Sequence, residues 1–143
     1  MTGAGVAGAA AAGASAAGAS AAERFRAAVE AGDLDAALAQ FADDVVFNSP
    51  VVYKPYQGKE ALRWILGAVF TVFENFRYTA EYTGPGGHVL AFSAEVDGRE
   101  LDGVDILRTG SGPDDPLTEL TVLVRPYSSA TALKERMAAL LTG

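Results

Sequence analysis

The chain has 143 residues, with 18 acidic against 11 basic side chains and a formal charge of −7; that length suits one domain with one core. Its few cations are scattered, which argues against a nucleic-acid partner. Cysteine is absent, which removes disulfides, thiolate catalysis and thiolate metal sites, and the single histidine, His88, makes a Ser-His triad or a histidine metal site hard to assemble.

Residues 1–21 are almost all Ala, Gly and Ser, with no charge before Glu23, and form a low-complexity tail expected to be disordered. The tail lacks the basic and leucine-rich regions of a secretory signal and is too broken by glycine to span a membrane. No membrane association and cytoplasmic residence are therefore expected, with one domain over 22–143.

From Ala22 to Ala31 the apolar positions Phe25, Ala28 and Val29 follow helical spacing. Gly32 then closes that helix and Asp33 caps a second short one, with Leu34, Ala37, Leu38 and Phe41 as its buried stripe. Val45-Val46-Phe47 reads as a short strand ending at Asn48-Ser49-Pro50, where proline forces a turn. Lys59 to Phe73 is the longest helical pattern, with Leu62, Ile65, Leu66, Val69 and Phe73 at three- and four-residue intervals behind Gly58.

The period then becomes two. Phe76, Tyr78, Ala80 and Tyr82 alternate up to Gly84-Pro85-Gly86-Gly87, and Leu90, Phe92, Ala94 and Val96 alternate with polar neighbours up to the hairpin signal Asp97-Gly98. Leu101 to Arg108 and Leu117 to Val124 follow as strands, and Ser128 or Ser129 caps a terminal helix striped by Leu133, Met137, Leu140 and Leu141. Helices followed by an antiparallel meander indicate an α+β fold.

Within Leu101-Asp102-Gly103-Val104-Asp105-Ile106-Leu107-Arg108, strand parity puts Asp105 on the face of Leu101, Gly103 and Leu107. A carboxyl in apolar surroundings is pushed towards its protonated form, where it donates a hydrogen bond. The alternative is a buried Asp tied to backbone amides, Arg108 or Arg125. If the sheet curls around the long helix, Leu90, Phe92, Ala94, Leu101, Val122 and Val124 converge with Phe25, Leu62 and Leu66 around Asp105, either as a cavity for a small apolar molecule or as a solid core. Asn48 and Ser49 would stand at the entrance of such a cavity. Tyr53 and Tyr56 either donate at its mouth or pack turns, while Glu95, Asp97 and Arg99 face solvent. Trp64 lies off the helical stripe, on the outer face or at a dimer contact.

The order of these elements, with Ala31-Gly32-Asp33-Leu34-Asp35-Ala36-Ala37, Phe41-Ala42-Asp43-Asp44-Val45, Ser49-Pro50 and Gly58-Lys59-Glu60-Ala61-Leu62, resembles the nuclear transport factor 2-like (NTF2-like) superfamily. That group includes SnoaL-like cyclases, ketosteroid isomerases and limonene-epoxide hydrolases. The resemblance implies a cone, in which a curved antiparallel sheet wraps around N-terminal helices over a pocket, often as a homodimer joined through the outer sheet face. It matches Asp105 to the protonated Asp of the isomerases, but puts Ser49 where they carry the base and Phe25 where they carry a tyrosine. Serine without an activating neighbour is too weak a base for a carbon-bound proton, and phenylalanine donates nothing. Val122 likewise stands where an epoxide-hydrolase Asp is expected. Three readings follow: a binder of a small apolar molecule, an isomerase, cyclase or epoxide hydrolase using Asp105 as general acid, and a non-catalytic dimerisation module. No cofactor or metal signature is present.

Overall fold

The computed structural model describes residues 20–112 and 114–142. Helices α1 (Ala21–Glu30) and α2 (Leu34–Leu38) precede strands β1 (Phe41–Asn48) and β2 (Tyr56–Gln57). The long helix α3 (Lys59–Val72) leads into β3 (Glu74–Gly84), β4 (Gly87–Val96), β5 (Arg99–Thr109) and β6 (Leu117–Arg125), and α4 (Tyr127–Thr142) closes the chain. The six strands form one curved sheet in the order β2-β1-β6-β5-β4-β3, an α+β cone of the NTF2-like kind. Among the described residues no helix is long and apolar enough to cross a membrane.

Local chemistry sets the helix ends. Ser20 and Glu23 form a capping box, with the Glu23 N–H donating to Ser20 Oγ at 3.1 Å and the Ser20 N–H donating to Glu23 Oε1 at 2.8 Å. Ala21 is therefore the first helical residue, not the end of the tail; the rest of the expected tail, residues 1–19, lies outside the described residues. Gly32 turns the chain at φ +70° and Asp33 caps α2 by accepting the Ala36 N–H at 3.0 Å. Phe41 does not continue the α2 stripe, because the helix ends at Leu38 and Phe41 opens β1 opposite Leu117. Gly58, at φ +96°, admits α3 where a side chain would be strained.

β1 runs parallel to β6, with Phe47 opposite Leu120 and Asn48 opposite Thr121, so the sheet is mixed; the β3–β6 meander and the short β1–β2 pair are antiparallel. β3 carries two register shifts. At the second, Tyr78 lies opposite Phe92 but Ala80 lies opposite Ala91, so one extra residue reverses the parity of the strand. The expected alternation through Ala80 and Tyr82 breaks there, and Tyr82 ends 64% exposed. Ser129 does not cap α4. It is buried, and its hydroxyl donates to the Glu100 carbonyl at 2.7 Å, tying the helix to β5.

The core fills the space between the inner sheet face and α1 to α3, with Phe25, Leu38, Leu62, Leu90, Phe92, Leu101, Leu107 and Leu120 among its most buried members. Each such fully buried large apolar side chain contributes roughly 2 kcal/mol to holding the cone closed.

Candidate functional site

The parity of β5 positions the site. Leu101, Asp105 and Leu107 are buried while Asp102 and Arg108 are exposed, and Asp105 lies opposite Leu90 on one side and Val122 on the other. One row along, Gly103 lies between Phe92 and Val124. A Cβ there would come within 2.5 Å of Phe92 Cζ and 2.6 Å of the Leu123 carbonyl oxygen, so the aromatic ring occupies the space that a side chain would need. In the same row, beyond Phe92, stands Tyr78. Its hydroxyl reaches across to donate to Asp105 Oδ2 at 2.8 Å.

Both groups are buried, Asp105 at 7% and Tyr78 at 9% exposure. Burial pushes the Asp105 carboxyl up to about 7, against a pull downward from the Tyr78 hydrogen bond, which favours the ionised form. Burial, and then the neighbouring Asp105 charge, hold the Tyr78 phenol well above its ordinary range. The pair thus keeps one proton firmly on the phenol and a second poised on the carboxyl. Neither expected arginine reaches Asp105: Arg108 pairs with Glu119 at 3.4 Å and Arg125 with Asp102 at 3.4 Å.

Asp105 and Tyr78 face a cavity of about 420 Å³, within the usual size of small-molecule sites. Phe25, Ser49, Leu66 and Val122 line it with Asp105. Leu62, Leu90, Phe92, Ala94, Leu101 and Val124 do not. The first five are almost fully buried and form a packed layer behind the lining, because the curved sheet brings only part of its inner face to the open space. Phe92 acts through its neighbours, stacking on Phe76 at 4.9 Å and tilting against Phe73 at 5.8 Å, and both of those rings line the cavity.

Asn48 and Ser49 part company. Asn48 donates to Glu119 Oε2 at 2.6 Å and Thr121 Oγ1 at 2.9 Å, away from the cavity, because it takes its place in the parallel ladder beside Thr121. Ser49 lines the cavity, and its oxygen accepts the Val51 and Val52 N–H groups at 3.0 and 3.2 Å. Those bonds occupy the lone pairs that a base would need and leave the hydroxyl proton available to donate. Tyr56 lines the cavity beside Phe47, with ring centres 6.1 Å apart, whereas Tyr53 is fully exposed, as is most of Trp64.

Tyr78 is the functional candidate that sequence reasoning missed. It was visible only as one member of an alternating strand, and its pairing with Asp105 depends on the β3–β4–β5 register. Arg26 was missed with it. Its guanidinium lies 5.5 Å from the centre of the Tyr78 ring and is held by Glu30 at 3.2 Å and Glu81 at 3.0 Å, which fixes the ring from behind. The wall formed by Leu133, Lys134, Met137 and Leu141 of α4 was also unforeseen. Among the described residues no cluster of His, Asp or Glu could hold a metal ion.

Residues 22–119 match the family model described as SnoaL-like domain. The fold is similar to a crystal structure of a steroid delta-isomerase from Pseudomonas aeruginosa, with a TM-score of 0.80 and 35% identity over 85% of this chain and 89% of that one. An uncharacterized bacterial protein with a cystatin-like fold from Silicibacter pomeroyi gives a TM-score of 0.79 and 30% identity, over 85% of each chain. A Catenulispora acidiphila protein with a ketosteroid isomerase-like fold, in complex with trimethylamine, shares the fold at a TM-score of 0.59 and 17% identity, over 78% of this chain and 89% of that one.

Proposed function

The chain belongs to the SnoaL-like domain family of the NTF2-like superfamily, and from that premise we propose that it binds a small, largely apolar ring compound, with Asp105 as the anchor for a ligand oxygen. The observation that carries this reading is the Tyr78–Asp105 pair at 2.8 Å, set in the wall of a largely apolar cavity. Tyr78 donates to one carboxyl oxygen, so a protonated Asp105 donates through the other to a ligand carbonyl. Phe73, Phe76 and Phe47 supply flat surfaces suited to a ring system.

Binding of a cyclic ketone such as α-tetralone, followed by NMR or calorimetry, tests the reading. Affinity should fall as pH rises through about 7, because the ionised carboxyl no longer donates to a carbonyl. No binding to the wild type, or binding that is unchanged in Asp105→Asn and flat with pH, defeats it.

The likeness to a steroid delta-isomerase at 35% identity favours a second reading, in which Asp105 is a general acid. Ser49 stands at the position the resemblance gives to the base, and its oxygen already accepts two amides. This reading therefore requires the base to come from substrate or water. It predicts deuterium exchange at the ketone α-carbon in the wild-type protein and its loss in Asp105→Asn, whereas a pure binder exchanges no faster than buffer.

Self-association belongs to the same proposal. On the outer sheet face Ala91-Val104-Leu123 and Val89-Ile106-Thr121 form two cross-strand rows, bordered by the Arg125–Asp102 and Arg108–Glu119 pairs. The bordering charges neutralise one another, which leaves a weakly charged apolar face suited to a second copy of the chain. Val104→Glu should shift the sedimentation coefficient from dimer to monomer.

A further inference from the structure

Lys134 is exposed and lines the cavity from α4, whereas Asp105 lines it from the buried middle of β5. Lys134 thus stands at the exposed rim, and the Asp105 carboxyl at depth. Among the described residues they are the one carboxyl and the one amine of the lining, and the remainder is largely apolar. Seven other cations, Arg24, Arg26, Lys59, Arg63, Arg108, Arg125 and Arg136, lie within ion-pair distance of a carboxylate, but no ion pair engages Lys134 among the described residues. A positive group at the rim is also against the sign of a chain carrying −7.

We infer that the ligand is a carboxylic acid: an apolar ring body whose carbonyl or hydroxyl oxygen meets Asp105 and whose carboxylate, at the far end, meets Lys134. This rests on the binding reading above and adds the polarity of the ligand to it. A carboxylate suits the rim better than a phosphate, because one lysine supplies one charge and no arginine fork joins it in the lining. The apolar walls between the two ends disfavour further polar groups along the body.

The test compares α-tetralone with tetralones that carry a carboxylate para to the carbonyl-bearing ring carbon, attached directly or through a two- or four-carbon chain. At low salt at least one carboxylate should bind the full-length protein roughly fivefold more tightly than the parent ketone, as expected for a partly exposed charge pair. Lys134→Met should remove that advantage, read as the ratio of carboxylate to parent-ketone affinity within the same variant, and Lys134→Glu should reverse it. Lys54→Met, a cation outside the lining, should change nothing, and added salt should shrink the effect in the wild type. If the parent ketone binds and no carboxylate gains over it, or if Lys134→Met weakens both alike, the inference is overturned and the binding reading stands. If neither the ketone nor any carboxylate binds, both fall together.

Discussion

Replacing Asp105 by Asn isolates the energetic consequence of the buried carboxyl. The amide keeps an oxygen to accept the Tyr78 hydroxyl and nearly the same volume, but it cannot ionise. In the wild type the group titrates near 7 in the folded protein against 3.8 for the free side chain. Between those values the folded state holds a proton that the unfolded chain has released, so stability falls as pH rises. The contribution is fully present below about 4 and is lost on passing through about 7, a span that corresponds to ~4 kcal/mol at ~1.4 kcal/mol per pH unit. Urea unfolding of both proteins at about pH 5 and about pH 8 should show the wild type losing roughly 2 to 3 kcal/mol relative to the variant. Titrations common to both proteins cancel in that double difference. A difference that stays constant with pH would refute the account of Asp105 as a desolvated carboxyl.

Three further outcomes follow from the same contacts. Tyr78→Phe removes the bond that favours the ionised carboxyl, so the Asp105 side-chain ¹³C titration should move above about 7, and the loss of stability should extend to correspondingly higher pH. Gly103→Ala should destabilise the fold by ~2 kcal/mol in chemical denaturation, because its Cβ meets both a ring carbon of Phe92 and the immobile Leu123 backbone. Ser20→Ala should cost ~1 kcal/mol by loss of the capping box, with ketone binding retained.

Much of this architecture is legible in the residues, and the gaps have physical causes. Asp33 and Gly58 mark helix starts by local chemistry, and the α3 stripe and the Asp97-Gly98 hairpin are short-range patterns that survive folding. Asp105 is legible because β5 has no register break between Leu101 and Leu107. Tyr78 is not, since its partner lies two strands away and 27 positions along the chain. Asn48 and Ser49 were read together as entrance residues although they are neighbours in sequence at a strand end, where consecutive side chains diverge. The division of the inner face into lining and packed layer depends on sheet curvature and on where α4 settles, neither of which is encoded in any local pattern.

The extra residue in β3 between Tyr78 and Ala80 separates two inheritances within a single strand. Before it, the strand answers to the interior: Phe76 and Tyr78 must keep their geometry against Phe92 and Asp105. After it, Tyr82 meets solvent, and Glu81 joins Arg26 across to α1. Mutational drift beyond Glu81, which still braces Arg26 behind the Tyr78 ring, can therefore remodel the molecule's exterior without propagating as a frame slip into the cavity-facing half, much as a splice isolates two lengths of rope. Surface novelty and interior constancy can evolve on the same strand at different speeds.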